Sequence, residues 1–287
     1  MEQGRREDGG PRGLFGTPAS ALQMISLDRI RAIAADAGAA IMEVYSRDFS
    51  VRAKHDASPL TEADLAAHAI IEGRLREEFP QIPLLSEESS EQVPFATRKH
   101  WRRYWLVDPL DGTKEFVKRN GQFTVNIALI ESNRPVAGVV HVPATGTTYW
   151  AAESTGSFKS NEAGDPVPIR CSAVPASGRL RVVGSSSHRS AETDRYLQAL
   201  RLRYSELSFL AVGSSIKICM VAEGAADIYP RFGPTMEWDT AAAHAILNTA
   251  GGRLVLHDTG EDLSYNKPDL LNQWFVAEAA RGGDGGE

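Results

Sequence analysis

Apolar residues recur along this chain in two rhythms, and the change between them divides it. Ile30, Ile33, Ala37, Ile41 and the pair Val44-Tyr45 recur every three or four residues, which predicts a helix with one apolar face, capped at Ser26. After a polar loop at 54–58, Ile71, Leu75 and Phe79 form an i+4 row on a second helix. Its start, Thr61-Glu62-Ala63-Asp64, has the form of a capping box. The rhythm then becomes alternation. Phe123 to Ile130, Val136 to Val142 and Thr147 to Ala152, with turn residues between them, predict an antiparallel meander. Beyond Leu180, short apolar strands (180–184, 205–212, 226–229) alternate with helical stretches (189–202, 216–223), which predicts a second α/β unit. The expected division is a disordered extension at 1–23, an α+β lobe at 24–179, a smaller α/β lobe at 180–281 and a flexible tail at 282–287.

Composition narrows the function classes. With 287 residues, 42% hydrophobic and 24% charged, the chain can bury one large core or two lobes. A net charge of −6 argues against a protein that coats nucleic acid. No apolar run approaches the ~18–20 residues of a membrane span. Arg5, Arg6 and Arg12 lack the apolar segment of a secretory signal and read as part of a solvated tail. Cys171 and Cys219 lack C-x-x-C spacing and read as reduced packing thiols in a cytoplasmic protein.

The candidate chemistry lies in three acidic elements. In D-P-L-D-G-T, Asp108 and Asp111 follow the apolar run Trp105-Leu106-Val107, which reads as a buried strand end. Pro109 forces an extended or turn backbone, Gly112 permits a tight bend and Thr113 opens a helix. Two carboxylates and a hydroxyl at a strand-to-helix turn suit a hard cation such as Mg²⁺, and the amides of Gly112 and Thr113 suit an anion. Leu84-Leu85-Ser86-Glu87-Glu88 precedes this block, and Glu237-Trp238-Asp239-Thr240 follows it at the head of an Ala-rich helix. Singly, each has a bland reading: an acidic turn, a solvated glutamate pair, a helix N-cap. Downstream, Gly213-Ser214-Ser215-Ile216-Lys217 puts a hydroxyl and an ammonium one helical turn apart, while Arg231 follows a strand and His188 a Gly-Ser loop.

Taken together, L-S-E-E, then W-L-V-D-P-L-D-G-T-K-E-F, then W-D-T-A-A resemble the inositol monophosphatase superfamily, and most closely its CysQ-type 3′(2′),5′-bisphosphate nucleotidases. K-R-N-G-x-F-T-V-N-I-A-L-I and Y-P-R-F-G-P-T extend the likeness over roughly 27–275, and Glu115 stands where inositol phosphatases usually carry Asn. One departure is Ala243, where the family usually has Gly. The resemblance implies a layered α/β/α/β/α fold with the active site between lobes. It implies two or three Mg²⁺ held by Glu87, Asp108, the Leu110 carbonyl, Asp111 and Asp239. Asp64 and Thr113 would orient the attacking water, with Glu87 also part of the catalytic set, and the Gly112 and Thr113 amides would face the reacting phosphate beside Asp239. Ser214, Lys217 and Arg231 would bind the uncleaved phosphate, and His188 would lie near the nucleoside. The implied reaction is hydrolysis of adenosine 3′,5′-bisphosphate to AMP and phosphate. The same chemistry on inositol monophosphate or fructose 1,6-bisphosphate is the alternative, and a non-catalytic nucleotide sensor is a further one. The implied partner is a small nucleotide bisphosphate, with a homodimer as candidate assembly. The implied location is the cytoplasm, with the cytoplasmic face of the inner membrane as a peripheral station.

Overall fold

The computed structural model describes residues 25–53, 59–161, 164–185 and 190–279. Helices α1 (Leu27–Tyr45) and α2 (Glu62–Glu78) flank a short antiparallel pair, β1 (Val51–Ala53) and β2 (Pro59–Thr61). A seven-stranded sheet follows in sequential order: β3 (Leu84–Ser86), β4 (Arg103–Asp111), β5 (Thr124–Glu131), β6 (Arg134–Val142), β7 (Thr147–Ala152), β8 (Gly156–Ser160) and β9 (Val167–Pro168). Only β3 and β4 pair in parallel, because a 3-10 helix (Glu87–Gln92) and α3 (Phe95–Arg98) carry the chain back between them. Helix α4 (Thr113–Val117) joins β4 to β5. A five-stranded sheet then forms from β10 (Arg179–Gly184), β11 (Glu206–Ala211), β12 (Ile228–Arg231), β13 (Gly252–Leu256) and β14 (Phe275–Ala279), in the order β11-β10-β12-β14-β13. Helices α5 (Ala191–Arg203), α6 (Ile216–Ala222) and α7 (Glu237–Thr249) connect its strands.

The period of two in β4 and β5 sets the layering. Trp105, Val107, Val125 and Ile127 face one way and bury with Ile30, Ile33, Ala37, Ile41, Ile71 and Leu75 of α1 and α2. Tyr104, Leu106, Ala128 and Ile130 face the other way, against Ala241, Ala242 and Ile246 of α7. That second core continues into Tyr229, Phe275 and Ala277 of the smaller sheet. A third core, with Leu180, Val182, Ile228 and Leu197, places α5 on the far face. The order is therefore α/β/α/β/α, as the resemblance implied. Both faces of the large sheet are covered, which is why its central strands read as nearly continuous apolar runs.

Local corrections follow from backbone accounting. Ser26 precedes α1, but its side chain makes no cap; its carbonyl accepts from Arg29 and Ile30 instead. Strand β4 continues past Val107 and through Pro109 to Asp111. β8 and β9 extend the meander beyond the three expected strands. Ala243 is 1% exposed, and the close backbone approach lies one residue earlier: a Cβ on Gly138 of β6 would stand 2.3 Å from the Ala242 carbonyl oxygen. Residues 1–23 with Arg5, Arg6 and Arg12, the tail at 282–287, the loop at 54–58 and His188 lie outside the described residues.

Candidate active site

Residues three apart on a regular strand point to opposite faces. Asp108 and Asp111 nevertheless converge, and a bulge explains it. Asp108 lies opposite Asn126 and Asp111 opposite Thr124, so β4 spends one residue more than β5 across that interval. Pro109 has no N–H to lose from the ladder, and the Leu110 N–H donates to Asp108 Oδ1 at 3.0 Å. The chain then turns at Gly112 in a left-handed conformation (φ 93°), where an added Cβ would lie 3.0 Å from the Gln122 carbonyl oxygen.

Asp239 reaches the same place from the first turn of α7, steadied by the Met236 N–H at 2.9 Å. One carboxylate oxygen each from Asp108, Asp111 and Asp239 lie within 4.8 Å of one another. Glu87, at the head of the 3-10 helix, is half-buried and close enough to raise the pKa of Asp108 both by its charge and through a hydrogen bond. Burial, then the charges of Glu87, Asp111 and Asp239, pushes Asp108 well above the usual carboxylate range. Burial and then Asp111 and Glu87 do the same to Asp239. Asp111 is also raised by burial, against the opposing pull of Lys217 and Ser215. Crowded, partly desolvated carboxylates of this kind suit a hard cation, which would relieve their repulsion.

Asp64 is 1% exposed and serves its capping box: its Oδ2 accepts from the Thr61 N–H at 2.7 Å and the Thr61 hydroxyl at 2.6 Å. Its Oδ1 faces the Thr113 hydroxyl at 3.3 Å, and that hydroxyl also lies 3.3 Å from the Leu110 carbonyl oxygen. Cap and candidate site thus share one carboxylate.

The cationic residues are buried rather than solvated. Lys217 is 5% exposed; its ammonium donates to the Ser214 carbonyl at 2.7 Å and the Val212 carbonyl at 3.2 Å. Burial lowers its pKa to about 8, with Asp111 pulling the other way. Ser214 lies ahead of α6 rather than in it, in a left-handed conformation (φ 50°), so Lys217 meets its carbonyl and not its hydroxyl. Arg231 ends β12 instead of following it; one guanidinium nitrogen donates to the Pro234 carbonyl at 2.7 Å, and its buried Nε has no partner among the described residues. Lys114 borders the site, while Arg119, five residues on, turns away to the carbonyls of Tyr45 and Arg47 at the end of α1. A cleft of about 710 Å³ is lined by Glu87, Asp111, Thr113, Lys217, Arg231 and Asp239, with Ser214 and Glu115 beside them.

Two residues passed over in the sequence stand at the centre of this arrangement. Asp111 Oδ2 accepts from the Ser215 N–H at 2.6 Å and from its hydroxyl at 2.7 Å, with the Asn126 amide at 3.5 Å. Ser215 sits beside the Ser214 that was singled out, and Asn126 is a polar residue inside an apolar strand, a signal that could have found it.

The inositol monophosphatase family model matches residues 25–283. The 3′(2′),5′-bisphosphate nucleotidase CysQ of Escherichia coli K12 is 46% identical over 253 residues, covering 87% of this chain and 98% of that protein. The CysQ of Buchnera aphidicola is 41% identical over 265 residues, 88% and 93% of the two chains. The crystal structure of CysQ from Bacteroides thetaiotaomicron, a bacterial member of the inositol monophosphatase family, superposes with a TM-score of 0.78 at 40% identity, covering 90% of this chain and 99% of that one. The chain belongs to the inositol monophosphatase family, as a CysQ-type member. The family is metal-dependent, and among the described residues Asp108, Asp111 and Asp239 form an acidic cluster that could hold a metal ion.

Proposed function

We propose that this protein is a Mg²⁺-dependent phosphatase that hydrolyses the 3′-phosphate of adenosine 3′,5′-bisphosphate to give AMP and phosphate. One observation carries this reading: a cluster of crowded carboxylates and two buried cations with unspent donors line a single cleft. The carboxylates suit the metal at the scissile phosphate. Lys217 has a third ammonium proton and Arg231 an unpartnered Nε, which suit a second phosphate that is not cleaved. An inositol monophosphate offers nothing for that second group. The names of the CysQ relatives point the same way.

Glu87, Asp108, the Leu110 carbonyl, Asp111 and Asp239 would hold two or three Mg²⁺, most of them from the 24–179 lobe and Asp239 from the 180–281 lobe. When bound, Mg²⁺ supplies Lewis-acid stabilisation of phosphoryl charge and acidifies water. Asp64 contributes through position. Its Oδ2 is held by the cap, so its Oδ1 is fixed and orients the Thr113 hydroxyl. That pair would align a water with phosphorus, opposite the ester bond to the 3′-oxygen. Water forms the new P–O bond and releases a proton to solvent, the bond to O3′ breaks, and O3′ takes up a proton from solvent as it leaves. The Gly112 and Thr113 amides would meet the phosphoryl oxygens beside Asp239. Ser214, Lys217 and Arg231 would bind the 5′-phosphate, with His188 near the nucleoside. No described helix is long and apolar enough to cross a membrane, which is compatible with a cytoplasmic setting for this reaction.

The test is a phosphate-release panel over adenosine 3′,5′-bisphosphate, adenosine 2′-monophosphate, inositol 1-phosphate and fructose 1,6-bisphosphate, each with Mg²⁺ and with chelator. Metal-dependent release fastest from the nucleotide bisphosphate is expected. A preference for inositol phosphate would move the assignment to the alternative substrate class.

A further inference from the structure

We infer that Ser215 is a positioning residue: it fixes which oxygen of Asp111 faces the metal site, and it ties that carboxylate to the helix that carries Lys217. This rests on the metal reading above but not on the identity of the nucleotide.

The hydrogen-bond ledger leads there. Ser215 is 3% exposed and stands immediately before α6. Its backbone N–H and hydroxyl both converge on Asp111 Oδ2, at 2.6 and 2.7 Å. The Asn126 amide, from the neighbouring strand, reaches the same oxygen at 3.5 Å and donates to the Ser215 hydroxyl at 3.0 Å. A carboxylate oxygen with these donors has little capacity left. The other oxygen of Asp111, Oδ1, accepts none of these bonds and is the one available to a metal. A ligand carboxylate with one oxygen anchored and one presented is pre-oriented, and outer partners of this kind tune metal affinity.

Three segments meet at the hydroxyl. Asp111 comes from β4, Asn126 from β5, and the Asp239 carbonyl, a further acceptor within reach, from α7. The hydroxyl has one proton, so it donates to one acceptor at a time, and the charged Asp111 is the stronger. Two residues on, Lys217 is locked to the Val212 and Ser214 carbonyls of the same loop. Gly213 pins this loop from behind: its N–H donates to Gln122 Oε1 at 2.7 Å, and a Cβ there would lie 2.7 Å from the Gln122 carbonyl. The loop cannot shift without moving Asp111, and Asp111 cannot turn without losing donors from this loop.

The experiment is Mg²⁺ titration by calorimetry of the substrate-free full-length protein, wild type against Ser215→Ala, with thermal unfolding in chelator as the control for folding. Ser215→Ala keeps the N–H but loses the hydroxyl. Tenfold to hundredfold weaker Mg²⁺ binding is expected, the usual effect of removing a ligand's outer partner. Turnover should recover to within a few-fold of wild type when Mg²⁺ is raised to saturation. Ser215→Cys, nearly isosteric and a weak donor, should fall between the two and serves if the alanine variant misfolds. Unchanged Mg²⁺ affinity in a folded variant overturns the inference. So does weakened affinity with turnover that saturating Mg²⁺ does not restore, because Ser215 would then act on the substrate. Wild-type protein that takes up no Mg²⁺ removes the metal reading itself, and the inference with it.

Discussion

Glu237 and Asp239 stand two residues apart in the first turn of α7, and their surroundings are opposite. Glu237 is 0% exposed and fully served: it accepts from the Asn266 N–H at 2.7 Å, the Lys267 N–H at 3.0 Å and the Lys267 ammonium at 2.6 Å. Arg98, also buried, braces the same loop through Asn266 and the carbonyls of Lys267 and Pro268. Asp239 instead faces Asp111 and Glu87 across a few ångströms of partly desolvated space, and its pKa rises accordingly. One carboxylate has its counter-charge in direct contact; at the other, like charges and burial outweigh the pull of Arg231. The first makes a fixed helix start, and the second sits on it. A buried charge that the protein satisfies reads as structure, while one that it leaves repelled reads as a place for something else to bind.

Breaking each side of this contrast should have different consequences. The largest effect is expected on turnover. Asp111→Asn keeps the shape but removes a charge that a hard cation needs, so Mg²⁺-dependent phosphate release should fall by at least about a thousandfold, a loss of ~4 kcal/mol in transition-state stabilisation, while circular dichroism is unchanged. Near-normal turnover at ordinary Mg²⁺ would sink the metal assignment.

Glu237→Gln attacks the satisfied side. It leaves Lys267 and two backbone donors facing an amide, and breaking a buried pair costs roughly 3–5 kcal/mol. A drop of several degrees in Tm is expected, with kcat per folded molecule changed far less than in Asp111→Asn. A stable variant with lost activity would place Glu237 in the chemistry instead.

Asp108→Asn sharpens the contrast from the other direction. The folded pKa of Asp108 is raised. Its contribution to stability is therefore fully present below the ordinary carboxylate range and is lost as pH rises through the raised value. In chelator near neutral pH the variant should melt above wild type, and the gain should vanish near pH 4. His141 and His244, whose pKa values burial lowers to about 4, add the reverse trend to both proteins, losing stability as pH falls from 6.5 towards 4. The comparison of variant with wild type removes that background. A variant that melts lower in chelator at neutral pH would mean that the cluster is not strained.

The cationic side gives the smaller effects. Arg231→Ala should cut kcat/KM for adenosine 3′,5′-bisphosphate by about one to two decades, the worth of a charge-assisted hydrogen bond of roughly 1.5–3 kcal/mol. Adenosine 2′-monophosphate should scarcely be affected; equal losses on both would make Arg231 a support of the fold. Smallest is the pH effect of Lys217. With a pKa of about 8 it is cationic below that value and neutral above it. KM for the bisphosphate should climb several-fold between about pH 7.5 and 9, with little change for the monophosphate.

Much of this was legible in the sequence because local chemistry and function coincide there. The 3.6 period of α1, the capping box at Thr61 and the strands β5 to β7, set off by turn residues, each follow from residues close in the chain, although β5 to β7 are buried on both faces rather than alternating. The acidic motifs were legible only through resemblance, since each alone is an ordinary turn or cap. What spacing could not give was the bulge that turns Asp108 and Asp111 to one side, because it needs the register of β5. Nor could it give Ser215 as a partner of Asp111, 104 residues away. The burial of Lys217 and Arg231 is likewise something that no spacing shows. These are long-range facts, and no local period encodes them.

In the reading proposed above, the crowded carboxylates and the buried cations serve one metal-dependent reaction on one nucleotide. The most direct test of that reading is phosphate release from adenosine 3′,5′-bisphosphate by the purified full-length protein, in Mg²⁺ and in chelator, with the nucleotide product identified. Release that requires Mg²⁺, with AMP as the product, is expected. Release undiminished in chelator, or adenosine 3′-monophosphate as the product, would contradict it.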